Sequence, residues 1–81
     1  MNKYDATLTV FGFNENKYKL SQCKIDIRKK IIYTKDLSTE VKNGYWLIRE
    51  FNTGYSERYL VIHVCKKASL KDVNVIHIMR F

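Results

Sequence analysis

The sequence predicts an all-β or β-rich α+β domain, built on a small antiparallel sheet of five to six strands that is curled or barrel-like. Aromatic residues make up 14% of the 81 residues, and β-branched residues are frequent beside them. Apolar residues also recur with a period closer to 2 than to 3.6, which is typical of strands. With 46% hydrophobic residues the chain is too apolar to be disordered. A chain this short has room for one core, so we expect a single domain over 1–81.

The first strand is predicted over 5–13. Ala6, Leu8 and Val10 fall on one face, and Thr7, Thr9, Phe11 and Phe13 fall on the other. A turn should follow at 14–16, because asparagine tolerates left-handed backbone angles and bonds to its own backbone.

A second strand is predicted from Cys23, with an apolar face (Cys23, Ile25, Ile27) and a polar face (Lys24, Asp26, Arg28). A helical alternative would use a stripe of Leu20, Cys23, Ile27 and Ile31. Ile25 and Ile32 fall off that stripe, however, and the run 31–34 favours a strand. We therefore expect residues 28–30 at a hairpin turn that leads into a third strand.

Segment 36–43 has a different pattern and is predicted to hold at most one short helix. Asp36 and Ser38 are candidate caps, and Asn43-Gly44 is a stop signal. Acidic residues are concentrated from here to residue 57.

The second half predicts a hairpin and a final strand. Strands over 45–51 and 57–65 flank a loop that contains Gly54. Residues 58–65 are largely apolar on both faces, which predicts a central position in the sheet. A linker over 66–71 then leads to a last strand over 73–81, where Ile76 and Ile78 share a face.

Cysteine usage and hydropathy indicate a cytoplasmic protein. The two cysteines have no Cys-x-x-Cys spacing, no apolar leader follows Met1, and no apolar run approaches the length of a membrane span. We expect no membrane association. Richness in Lys, Asn, Ile and Tyr without Pro is typical of AT-rich genomes, and with the small size it suggests a phage-type accessory protein acting in the host cytoplasm.

One segment of the chain carries most of its positive charge. The basic strip consists of seven cations that surround the single acid Asp26, a net +6 of the total +7: Lys17, Lys19, Lys24, Arg28, Lys29, Lys30 and Lys35. Tyr18 and Tyr33 are interleaved as stacking candidates, and Lys66 and Lys67 begin a second cluster. Cations beside aromatic rings are typical of surfaces that bind single-stranded nucleic acid. The alternative is a solvated strand face on which lysine prevents aggregation.

The leading hypothesis is therefore a non-enzymatic protein that binds RNA or single-stranded nucleic acid through the basic strip, Tyr18, Tyr33, Lys66 and Lys67. The two basic clusters would form one groove if the strand from Cys23 lay beside the carboxy-terminal strands, with the acidic segment elsewhere. A second hypothesis is an anti-defence protein that inhibits a host protein or toxin by gripping its acidic surface. A homodimer is compatible with either.

Catalytic and metal sites are not predicted. A metal-independent ribonuclease would draw on His63, His77, Glu50, Tyr59 and Arg58, but no spacing singles these residues out. Structural zinc usually takes closely spaced pairs of ligands, whereas only His63 and Cys65 are close together among Cys23, His63, Cys65 and His77. The glycines are isolated and form no phosphate-binding loop. We expect no cofactor.

Overall fold

Six antiparallel strands close into a small β-barrel in the computed structural model, which describes residues 4–14, 16–65 and 73–80. The strands are β1 (Ala6–Phe11), β2 (Lys17–Asp26), β3 (Ile31–Thr34), β4 (Trp46–Glu50), β5 (Ser56–Cys65) and β6 (Asn74–Arg80). Their order around the barrel is β1-β2-β3-β6-β5-β4. The predicted fold class is confirmed. Among the described residues there is no helix that could span a bilayer.

Two three-stranded meanders build the barrel. β1, β2 and β3 are consecutive neighbours, and the connection 35–45 then crosses one end so that β4 pairs with β1. A fourth strand that returns beside the first is a Greek key. β5 and β6 continue from β4, and β6 pairs with β3 to complete the closure. Closure leaves none of the six strands with an open edge.

Inward-facing side chains from all six strands form the core. Leu8 and Val10 are fully buried, as are Cys23, Ile32 and Leu47, while Ile76 and Ile78 are nearly so. Ile25 and Ile27 pack against this core. The apolar faces predicted for the first, second and last strands therefore point inward. The predicted hairpin turn is also confirmed, because residues 27–30 form a turn between β2 and β3.

A bulge in β2 changes which residues face the core. Leu20 lies opposite Leu8 and Cys23 lies opposite Ala6, so one strand has an extra residue between these pairs. Gln22 has a φ of 54° there. Since side chains alternate along a strand, the inserted residue reverses the alternation. Lys17 and Lys19 before the bulge and Lys24 after it consequently all belong to the outer face.

Segment 36–43 contains no helix. The Asp36 carboxylate instead accepts hydrogen bonds from the Ser38 hydroxyl at 3.0 Å and the Thr39 hydroxyl at 2.9 Å. It also accepts from both the backbone N–H and the hydroxyl of Ser21, each at 3.1 Å, which joins the segment to the β2 bulge. Such side-chain bonds compete with helix formation. Val41 is buried and belongs to the core cluster.

A second bulge interrupts β5. Val61 pairs with Ile78 and His63 pairs with His77, so Ile62 is the extra residue and is exposed. The extra residue interrupts the regular alternation of side chains along this strand, which was predicted to be apolar on both faces. Before the bulge Tyr59 and Val61 point inward, whereas after it Val64 packs against the core.

Candidate functional site

A row of paired side chains crosses five strands on the outside of the barrel. Each member lies directly opposite the next, and we call them the outer row: Lys17, Phe11, Trp46, Leu60 and Met79. Phe11 is 38% exposed and Met79 is 46% exposed. Four of the five members are apolar, and adjacent apolar side chains on an outer face mark a candidate interaction surface.

A concave groove adjoins this row on β1, β2, β4 and β5. Its volume is about 480 Å³, and we call it the groove; it is lined by Thr9, Phe11, Lys17, Tyr18, Lys19, Ile48, Glu50, Ser56 and Arg58. The central residues are again paired across strands, in the order Lys19, Thr9, Ile48 and Arg58. A smaller depression of about 280 Å³ extends it to Trp46.

Cations in and beside the groove lie over aromatic rings. The Nζ of Lys17 is 5.5 Å from the centroid of the Phe11 ring, and the Cζ of Arg58 is 5.6 Å from that of Trp46. Both distances are within the range of cation–π attraction. The Nζ of Lys19 donates a hydrogen bond to the Thr9 hydroxyl at 3.0 Å. These contacts hold positive charge on opposite sides of an apolar floor.

Lys17 and Lys19 are the members of the basic strip that line the groove, and Tyr18 between them has a different place. Its ring packs against the core, and its hydroxyl donates a hydrogen bond to the carbonyl of Glu40. Burial, with smaller contributions from Tyr45 and Glu40, raises the pKa of Tyr18. Tyr18 therefore packs on the core side of β2 next to the groove and ties β2 to the crossing connection.

Lys24, Tyr33 and Lys35 form a separate group with Tyr4. Lys24 lies opposite Tyr33 across β2 and β3, and its Nζ is 5.8 Å from the Tyr33 centroid. The Nζ of Lys35 is 4.5 Å from the centroid of Tyr4, and that of Lys24 is 5.9 Å from it. Here too cations and rings are adjacent, on the outside of β2 and β3.

Arg28, Lys29 and Lys30 are exposed on the β2–β3 turn. The Lys29 N–H donates to the Asp26 carboxylate at 3.2 Å, and the carbonyl of Lys30 accepts from the N–H of Ile78 at 3.0 Å. The turn thus lies beside β6. Lys66 and Lys67 lie outside the described residues.

The condition under which the two basic clusters would join is not met. β2 pairs with β1 and β3, so the strand from Cys23 is not adjacent to either carboxy-terminal strand, β5 or β6. The acidic segment is not wholly elsewhere either, because Glu50 lines the groove with Lys17 and Lys19. The seven cations of the basic strip, all of which the structure describes, therefore form three surface groups.

The residues considered for a ribonuclease are also dispersed. Tyr59 is buried inside the barrel, where its hydroxyl donates to the Glu57 carboxylate at 2.7 Å. His63 and His77 face each other on the outside of β5 and β6, with ring centroids 5.6 Å apart. Glu50 and Arg58 lie in the groove instead.

No metal centre is found in the part of the chain that the structure describes, since no three potential ligands cluster there. Cys23 is fully buried, and burial raises the pKa of its thiol to about 11. His63 is exposed on the outer face. These two residues therefore cannot share an ion.

Sequence reasoning missed three residues that build the surface: Phe11, Trp46 and Ile48. Phe11 alternates with the core residue Val10, and Trp46 alternates with the core residue Leu47. That alternation was a signal that both rings face outward. The proximity of these residues could not be predicted from the sequence, because β1 and β4 are brought together only by the long crossing connection.

The groove combines an apolar floor, cations on both sides and one carboxylate. This arrangement offers an apolar surface to a planar group and positive charge to an anion on either side of it. No known protein family matches the sequence, and no curated protein or solved structure is significantly similar to it.

Proposed function

We propose that the protein binds RNA or single-stranded nucleic acid in the groove without catalysing a reaction. The observation that carries this proposal is the direct cross-strand succession of Lys17, Phe11 and Trp46, with cations held over both rings. A single strand presents flat bases and a charged backbone with a regular spacing. An aromatic ring can stack on a base, and a cation beside that ring can pair with the phosphate of the backbone.

The energetics support single strands over duplexes. Stacking of one base on an aromatic ring contributes about 1–3 kcal/mol, and duplex bases are not available for it. Lys17, Lys19 and Arg58 would neutralise phosphates and release their counterions. The formal net charge of +7 attracts polyanions over a longer range.

Trp46 is the sole tryptophan of the chain, so its fluorescence reports directly on this surface. Titration with single-stranded RNA and DNA oligonucleotides at low salt should quench it, and the same oligonucleotide in a duplex should quench it less. The affinity should fall as salt is raised, because counterion release drives phosphate contacts. No quenching by any single strand at low salt would contradict the proposal.

Two charge-matched variants test which of the basic groups binds. Lys17→Gln, Lys19→Gln and Arg58→Gln remove three cations from the groove, while Arg28→Gln, Lys29→Gln and Lys30→Gln remove three from the turn. We expect the groove variant to lose both affinity and Trp46 quenching. The turn variant should keep the quenching and lose only affinity from long-range attraction. An equal loss in both would place the binding surface elsewhere.

A protein-directed inhibitor is the second candidate, and one observation favours it. The outer row continues past Trp46 to Leu60 and Met79, and Ile62 nearby is 46% exposed. Apolar patches of this kind are common in protein interfaces. A pull-down from lysate with and without nuclease separates the candidates, because a nucleic-acid bridge is lost on digestion whereas a direct protein contact persists.

The free thiols of Cys23 and Cys65 support a reducing compartment such as the cytoplasm for either function.

A further inference from the structure

We infer that the groove prefers guanine, and that Glu50 is the residue that selects it. The inference rests on the proposed function and deepens it. A basic groove gains nothing in general affinity from a carboxylate, because the carboxylate repels phosphate. An acid in this position is therefore suited to recognising something other than the backbone.

The Glu50 carboxylate is available to a ligand. Among the described residues it forms neither an ion pair nor a hydrogen bond. Arg58 is a diagonal neighbour of Glu50 on the same face of β4 and β5. The Arg58 guanidinium lies over the Trp46 ring instead, at 5.6 Å. The Arg58 side chain therefore extends towards Trp46, whereas Glu50 lines the opposite end of the groove.

The remaining lining defines how a nucleotide would lie. Ile48 and Thr9, paired across β1 and β4, form the floor, and Phe11 and Glu50 lie towards opposite ends of it. Lys17 and Lys19 stand on the β2 side, where they would hold phosphates. A volume of about 480 Å³ is sufficient for one nucleotide. A base seated on Ile48 would direct one edge towards Glu50.

Of the four bases, guanine fits a carboxylate best. Its Watson–Crick edge presents two adjacent donors, N1–H and the 2-amino group, which match the two oxygens of a carboxylate in a charge-assisted pair. Adenine and cytosine each present one amino donor beside a ring-nitrogen acceptor that repels the carboxylate. Uracil presents one donor between two carbonyl oxygens. The carboxylate therefore favours guanine, because only guanine presents two adjacent hydrogen-bond donors on this edge.

A cationic ligand is the competing occupant for Glu50, and the surrounding charge disfavours it. Lys17, Lys19 and Arg58 line the same groove, so the entry of a lysine or arginine from a partner would meet three like charges. A guanine nucleotide places neutral donors at the carboxylate and its negative charge at the lysines. It satisfies both requirements of the groove.

The test uses short uridine-rich RNA and DNA strands that differ in one central base. Trp46 fluorescence titrations at constant salt should show that a single guanine binds about tenfold more tightly than adenine, cytosine or uracil, the size expected for one bidentate base contact. Inosine, which lacks the 2-amino group, should bind with intermediate affinity. 7-Deazaguanine keeps the Watson–Crick edge and should bind like guanine.

Glu50→Gln should abolish the guanine preference and raise the affinity for the all-uridine strand, because it removes a charge that repels phosphate. Glu40→Gln is the matched control, since Glu40 lies outside the groove in an ion pair with Lys42. Equal affinity for all bases, or a guanine preference that survives Glu50→Gln, would overturn this inference while the proposed function stood. Failure of every strand to bind would overturn both.

Discussion

Phe11 lies directly opposite Trp46 across β1 and β4, so the strand pair that helps to close the barrel also places two aromatic rings side by side on its outer surface. The pairing of β1 with β4 therefore contributes both to barrel closure and to the candidate binding surface. A change that loosens the β1–β4 pair should affect both stability and binding. A change confined to the ring faces should affect binding alone.

Phe11→Ala should weaken binding of single strands with little effect on folding, because the Phe11 ring is partly exposed and lines the groove. Loss of one stacking contact of about 1–3 kcal/mol corresponds to roughly 5- to 150-fold in affinity. Tyr55→Ala is the control, as Tyr55 is an exposed aromatic residue outside the groove. Equal affinities for the two variants, measured by Trp46 fluorescence, would argue against stacking at Phe11.

Asp36 should make stability depend on pH in the acid range. The hydrogen bond from the Ser21 backbone, aided by those from hydroxyl groups and opposed by partial burial, lowers the pKa of Asp36 from 3.8 to about 2. A depressed folded-state pKa stabilises the fold above the unfolded value, and this contribution is lost as pH falls through the folded one. The difference in Tm between wild type and Asp36→Ala should therefore shrink between pH 4 and pH 2.

At neutral pH the Asp36→Ala variant should lose about 1–2 kcal/mol, since bonds to a charged acceptor are lost at a partly exposed site. Glu40→Ala, which removes an exposed acid in a surface ion pair, serves as the control and should be nearly neutral. A constant Tm difference across the acid range would show that Asp36 does not titrate as described.

Tyr59 should make stability depend on pH in the alkaline range. Burial and the hydrogen bond to Glu57 raise the pKa of Tyr59 from 10.0 to about 12. The folded state then keeps a proton that the unfolded state loses, so stability should fall as pH rises from 10 to 12. Tyr59→Phe should reduce this dependence to the part that comes from Tyr18 and Cys23, whose pKa values are also raised. By deleting one hydrogen bond, it should also cost about 1 kcal/mol at neutral pH.

Urea unfolding at several alkaline pH values measures this effect, with Tyr55→Phe as a matched loss of an exposed hydroxyl. If Tyr59→Phe kept the alkaline loss of stability while Tyr55→Phe removed it, the assignment to Tyr59 would be wrong. The Glu57 carboxylate also accepts a hydrogen bond from Arg80. The hydrogen bond from Tyr59 is the main cause of the lowered pKa of Glu57.

The two cysteines should differ in their reaction with an aromatic disulfide reagent. Cys23 is fully buried and its thiol pKa is raised to about 11, so little reactive thiolate is present near neutral pH. Cys65 is only partly buried on β5. We expect one thiol to react rapidly in the native protein and two in urea, and Cys65→Ser should remove the rapid phase. Rapid reaction of Cys23 would be inconsistent with its place in the core.

Local patterns were enough to predict most of each strand and which of its faces are apolar, although β2 begins at Lys17 and not at Cys23 as predicted. Leu8 with Val10, Cys23 with Ile25, and the final pair of isoleucines lie inside as their alternation indicates. The turn at 27–30 is local as well. Period-two alternation follows from strand geometry alone, which is why sequence reasoning succeeded here.

The conformation of segment 36–43 could not be predicted from local patterns. Its residues resemble helix caps, but Asp36 bonds to Ser21, which is fifteen residues earlier in the chain. The bulges were equally hidden, because an extra residue is defined by the partner strand. The β2 bulge did leave one trace, in that Leu20 and Cys23 are both core residues although their spacing is odd.

The sequence by itself determined a β-rich domain, the inward faces of its strands, the β2–β3 turn and a strong positive charge, since each depends on neighbouring residues or on composition. Only the tertiary structure decided that the basic strip divides into three groups and that Lys17 and Lys19 share a groove with Phe11, Ile48 and Glu50. The reason is that the β1–β4 pair joins residues 35 to 39 positions apart, from Phe11 with Trp46 to Thr9 with Ile48. Pairing across that distance depends on closure of the whole barrel, to which all six strands contribute.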